Sequence, residues 1–286
     1  MESPGAKTRI VGMHPRLSAL AALRLSDPEA KVAATRTTAA RAATDSIATE
    51  PLRTVGDDIG VPGRPERPLR VAATAVQKRS PFTTDGRAAL IHSICHIEFN
   101  AINLALDAVW RYDGMPEAYY RDWLRVADEE AQHFTLLHAH LQNMGWRYGD
   151  FPGHDGLWSM CEKTRDDVLA RMALVPRTLE ARGLDATPLI QAKLKRVDTP
   201  DALRAVEILD IILRDEVGHV AIGNHWYRWL CEREGRDPET TYPELVARYE
   251  APRLKPPFNL EARGRAGFSA EELRVLSAGG KAEKAE

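Results

Sequence analysis

Glutamate and histidine stand three residues apart at two places, Glu130-x-x-His133 in DEEAQHF and Glu216-x-x-His219 in RDEVGHV. Residues three apart on a helix share a face, so each carboxylate and imidazole can converge on one metal ion. The spacing alone is weak. With 22 glutamates and 9 histidines in the chain, chance supplies about 0.7 such pairs. Position strengthens the signal, because each pair sits near the middle of an apolar, helix-forming stretch. Around Glu130 the same face carries Trp123, Val126, Ala127, Phe134 and Leu137; around Glu216 it carries Leu209, Ile212, Leu213, Val220 and Gly223. A carboxylate in such a stripe is costly unless it is paired or coordinated.

A lone carboxylate precedes each pair. Glu98, in ICHIEFNAINLAL, lies among Ile91, Ile94, Ala101, Ile102 and Ala105. Glu180, in LVPRTLEARG, plays the same part ahead of Glu216. The order Glu, Glu-x-x-His, Glu, Glu-x-x-His is the ligand set of carboxylate-bridged two-metal sites in helical bundles. Four carboxylates and two imidazoles neutralise two divalent ions and suit two irons, or iron and manganese, better than thiolate-loving metals. Glu98, Glu130, His133, Glu180, Glu216 and His219 are therefore the candidate metal and catalytic residues. Glu180 has a rival in Glu162, because Pro176 and Gly183 place it beside a kink and near a helix end. Glu129 and Asp215, each four residues before a candidate histidine, are placed to orient its ring. His92 and Cys95 share a face with Glu98 and read as core residues. Tyr112, Tyr119 and Tyr120 are oxidisable, but no spacing singles them out. His154, Asp155 and the PPFN stretch around Asn259 read as turn or packing residues, with a place at the mouth of a site as the other reading.

These residues need long helices to carry them. The pattern predicts helices from about Gly86 to Tyr112, Pro116 to Met144, Leu157 to Arg182 and Thr199-Pro200 to Glu234, with Gly145, Gly183 and Gly235 as stops. Thr187-Pro188 is expected to cap a separate short helix. At 1.5 Å per residue the four long helices span roughly 40 to 50 Å, and their connections point to an antiparallel four-helix bundle. No segment alternates as a strand does, so the class is all-α. Residues 1–85 read as an N-terminal extension of two short helices, the second opened by Asp27-Pro28, and a Gly/Pro-rich arm. Residues 86–235 form the expected bundle. Residues 236–286 form a C-terminal extension packing on it, with a capping box at Ser269 and Glu272 and the last residues disordered.

Composition bounds the rest. Lys plus Arg (39) nearly balance Asp plus Glu (41), a formal charge of -2, so no basic field favours nucleic acid or anionic lipid. Cys95, Cys161 and Cys231 lie far apart without a Cys-x-x-Cys pair, which argues against a disulfide framework and for a reducing compartment. No apolar run reads as a membrane span. Lys7, Arg9, Arg16 and Arg24 against Glu2 have the look of a weak targeting segment, but a plain cytoplasmic N-terminus is the preferred reading.

Five stretches, HIEFNAINLALDAVWRY, GDFPGHDGLW, MALVPRTLEARGLDATP, RDEVGHVAIGNHW and PPFNLEARGRAGF, resemble an uncharacterised bacterial family of ferritin-like, di-iron carboxylate proteins over about two-thirds of the chain. The Glu-Ala-Arg at Glu180 to Arg182 is also similar to the third-helix signature of the tRNA-modifying hydroxylases of that superfamily. The resemblance implies a ferritin-like bundle with extra terminal helices and a metal site; it names no substrate. The expected activity is a di-metal oxidoreductase that activates dioxygen to oxidise or hydroxylate an unknown small molecule. The alternatives are a ferroxidase or iron-handling protein and a non-catalytic, metal-stabilised bundle. An external electron donor is required, since no rubredoxin-like module or nucleotide fingerprint is present. A homodimer is allowed, and tRNA stays open as a substrate by analogy of fold alone.

Overall fold

In a computed structural model of the chain, residues 14–52 and 58–282 are described. The expectation for a targeting segment falls in part on residues 1–13, and that for disorder at the last residues on 283–286, which lie outside them. The described residues are all-α and contain no strand; a single bridge pairs Arg70 with Gly153. They fall into two compact units, one ending at Trp158 and the other beginning at Ser159.

In the first unit, α1 (Pro15–Leu23) and α2 (Pro28–Ala42) are each opened by a proline in the first turn. Asp27 caps α2 by accepting from the Ala30 amide at 2.8 Å, so the expected cap is present. α3 (Thr84–Arg111) starts at the Thr83 cap, and α4 (Glu117–Asn143) ends before Gly145, whose φ of +84° allows the left-handed turn. The link 112–116 is short, so α4 runs back along α3, and α1 and α2 cover the pair. α3 is long and apolar enough to cross a membrane by composition, contrary to the sequence reading. It is a core helix instead, because its buried face also holds Glu98, Asp107 and Arg111.

Two buried cations tie α1 and α2 down. Arg16 on α1 donates to the carbonyls of Val109 (3.2 Å), Trp110 (3.3 Å) and Tyr112 (3.3 Å) and pairs with Asp113. It thereby satisfies the carbonyls that the end of α3 leaves without helical partners. Lys31 on α2 donates to the carbonyls of Leu23 (3.1 Å) and Gly63 (2.9 Å) and to the Asn103 side chain.

The second unit holds α6 (Val168–Leu174), α7 (Ala181–Val197), α8 (Pro200–Arg233), α9 (Pro238–Arg248), α10 (Leu260–Arg265) and α11 (Ala270–Ala282); α5 (Gly156–Lys163) precedes them. The expected third long helix is corrected here. It is broken after Lys163, resumes at Val168, widens into a π-helical turn over Val175–Glu180 and continues as α7 through Gly183 and Pro188. Gly183 is no stop, and Thr187-Pro188 opens no separate helix. Pro176 has no N–H to give, and its ring crowds the carbonyl four residues back; one extra residue in the turn absorbs that conflict without ending the helix. α8 matches its prediction, and the capping box is present: Glu272 N donates to Ser269 Oγ (3.1 Å) and Ser269 N to Glu272 (2.7 Å).

Candidate metal centre

α3 and α4 bring three of the candidate residues together inside the first unit. Glu98, Glu130 and His133 are buried, and one donor atom from each lies within 4.8 Å of the others. His133 Nδ1 stands 3.3 Å from Glu98 Oε2 and 3.3 Å from Glu130 Oε2. Helical periodicity supplies the Glu130–His133 pair, while the packing of α3 on α4 supplies Glu98.

The charges explain what the cluster wants. Burial, then the neighbouring Glu130 carboxylate, pushes the Glu98 carboxyl well above the usual range. Burial alone would lower His133, but hydrogen bonds and charges from Glu130 and Glu98 outweigh it and push the ring up to about 11. Two carboxylates against one imidazolium leave negative charge away from water unless a proton or another cation joins them. Oxygen and imidazole donors at this spacing can hold a metal ion.

The second unit presents a matching series on its own elements. Glu216 and His219 are buried on α8, with His219 Nδ1 3.8 Å from Glu216 Oε1. Glu180 is buried at the last position of the π turn, which packs on α8. It is therefore not at a helix end, as Gly183 suggested. Glu162, the rival carboxylate, is exposed on α5. Gly223, seven residues beyond Glu216, gives the π turn room: a Cβ there would stand 2.5 Å from Pro176 Cβ.

The flanking candidates fall out variously. Glu129 is half-buried, and Asp215, also half-buried, accepts from Arg214 at 2.9 Å. His92 is buried and accepts from the Gly149 amide at 2.9 Å; Cys95 is buried, its thiol 3.9 Å from the Phe134 carbonyl and pushed up by burial. Tyr119 is buried, and Tyr120 donates to the Tyr112 carbonyl at 2.8 Å. His154 accepts from Gly156 N, Asp155 pairs with Arg64 at 2.5 Å, and Asn259 caps α10 at 3.1 Å. These contacts fit the turn and packing reading of the three. Sequence reading missed Tyr148, half-buried with its ring against those of His92, His96, Phe99 and Phe134 and its hydroxyl 2.8 Å from His96 Nδ1. It also missed Arg177, a basic residue inside an apolar stretch, which is the signal that marks it.

Over residues 24–274 the chain matches the family described as a protein of unknown function (DUF455). The chain belongs to this family. A relative in sequence, an uncharacterized protein of Haemophilus influenzae, is 52% identical over 217 residues, covering 73% of this chain and 74% of that one. No solved structure matches the chain. Membership in the DUF455 family carries no activity with it, so the chemistry rests on the buried carboxylates and imidazoles.

Proposed function

We propose that the protein is a di-metal carboxylate oxidoreductase with a ferritin-like helical core. Glu98, Glu130 and His133 are one half of its ligand set, and Glu180, Glu216 and His219 are the other. Two iron ions, or one iron and one manganese, are the metals the donor chemistry favours. The observation that carries the reading is the buried meeting of Glu98, Glu130 and His133, with one donor atom from each within 4.8 Å of the others. The Glu-x-x-His pair on α8 repeats the arrangement in sequence and spacing.

When bound, such a pair supplies dioxygen activation for oxidation or hydroxylation of a substrate. The chain's own residues fix the ligands and keep water away. His133 and His219 are fully buried, and the rings of Phe99 and Phe134, next to Glu98 and His133 in the chain, meet in a tilted pair at 5.5 Å. The same reading places the protein in the cytoplasm, with an external electron donor and a small-molecule substrate.

Anaerobic loading with Fe(II), removal of free metal and elemental analysis test the site. Two tightly held metals per chain, followed by dioxygen uptake on exposure of the reduced protein to air, are expected. Loaded protein that consumes no dioxygen rules out the oxidoreductase reading. A very large assembly by light scattering, with rapid Fe(II) oxidation, would favour iron storage instead.

A further inference from the structure

Glu180 sits on a turn that is weak by construction. A π turn forms poorer hydrogen bonds than an α turn, and Pro176 removes one donor from it. An α-helical register would turn the residues after the extra position by about 100°, since 3.6 residues complete a turn. Something outside the helix must hold the wider register.

The C-terminal segment grips both flanks of Glu180. On the near side, Arg177 is 2% exposed. Its Nε donates to Asn224 on α8 at 2.7 Å, its Nη2 pairs with Glu272, and its guanidinium lies 4.9 Å from the Tyr227 ring, 4.4 Å from Tyr242 and 5.0 Å from Phe268. Glu272 is itself fixed, accepting from Arg228 at 3.0 Å and from the Ser269 amide at 2.7 Å. On the far side, fully buried Arg263 bonds Asp185 at 2.6 and 3.0 Å and the Ala181 carbonyl at 3.2 Å. Asn224 completes the grip by donating to the Ala266 carbonyl at 2.8 Å. A bare packing role for this segment would need apolar contact; it would not need one buried guanidinium reaching out of the turn, from Arg177 to Glu272, and a second, Arg263, reaching in to Ala181 and Asp185.

We propose that the segment from Phe258 to Glu272 is a positioning clamp for Glu180, with Arg177, Arg263 and Glu272 as its positioning residues. The clamp holds the π register and so fixes where the Glu180 carboxylate points. The inference rests on the reading of Glu180 as a metal ligand, and deepens it: the far end of the chain sets the geometry of one metal position.

The test uses full-length protein carrying Glu272→Gln, with Arg177→Lys as a milder change and Glu272→Asp as the conservative rescue. Hydrogen–deuterium exchange on metal-free protein should show residues 175–185 exchanging at least about tenfold faster in Glu272→Gln, with α3 and α4 unchanged. Mn(II) titration with spin-resonance detection should show two coupled ions in the wild type. In Glu272→Gln one ion should bind about 10- to 100-fold more weakly, the size usual for residues that orient a ligand, and Glu272→Asp should recover most of it. Unchanged exchange over 175–185 overturns the clamp whatever the metal content. Accelerated exchange with both ions bound as in the wild type overturns its link to Glu180. A wild type that binds no metal defeats the metal reading, and the exchange data still decide the clamp.

Discussion

His133 Nδ1 lies 3.3 Å from Glu98 Oε2, although 35 residues separate them and they belong to different helices. The same nitrogen is 3.3 Å from Glu130 Oε2. An imidazole shared between two buried carboxylates holds a proton firmly, so metal and proton compete for one place.

Substituting Glu98→Gln tests that competition through stability. The amide resembles the protonated carboxyl that burial and Glu130 favour, so metal-free stability should change by less than about 1 kcal/mol. Wild-type protein should gain about 2.7 kcal/mol at a metal concentration 100-fold above its dissociation constant. Thermal unfolding with and without Mn(II) should show that gain largely lost in the variant.

Acid should weaken the first unit through His92 and His96. Burial, then mutual repulsion, lowers His92 to about 4, and burial lowers His96 to about 4. Both rings accept or share hydrogen bonds as neutral groups, His92 from Gly149 N and His96 with Tyr148. Between pH 6.5 and 4 the unfolded rings take up protons that the folded ones refuse. Their stabilisation is complete above 6.5 and is lost as pH falls toward 4, by roughly 3 kcal/mol for each ring. Urea unfolding at pH 7.5 and 4.5, compared with His92→Gln, isolates the effect; equal pH slopes would reject it.

Gly223→Ala should destabilise the second unit by about 1–3 kcal/mol, the usual cost of overpacking. The new methyl would stand 2.5 Å from Pro176 Cβ and 2.6 Å from Pro176 Cγ. Gly218, with nothing within 4 Å, is the control on the same helix, where alanine should be neutral or stabilising. Chemical denaturation of the two variants makes the comparison.

Arg16→Met should cost about 3–5 kcal/mol, because it strands the Asp113 carboxylate and the carbonyls at the end of α3. Arg16→Lys should recover only part, since one ammonium cannot reproduce the fork of the guanidinium. Melting temperatures of the three proteins decide the matter.

Much of this was legible in the chain itself. Asp27-Pro28, Gly145, Thr199-Pro200 and the Ser269–Glu272 box mark helix ends where they occur, because capping depends on neighbours a few residues away. The pairing of Glu130 with His133, and of Glu216 with His219, follows from helical periodicity alone. Gly183 and Thr187-Pro188 misled, since α7 runs through them and burial of Leu184 and Leu194 outweighs local propensity. Only the tertiary structure decided the rest. It set Glu98 against His133, widened the turn at Pro176 against Gly223 and gave Arg16, Arg177 and Arg263 their acceptors. Those relationships join residues far apart in sequence, through the register of one packed helix on another and the reach of long side chains, and neither quantity has a local signature.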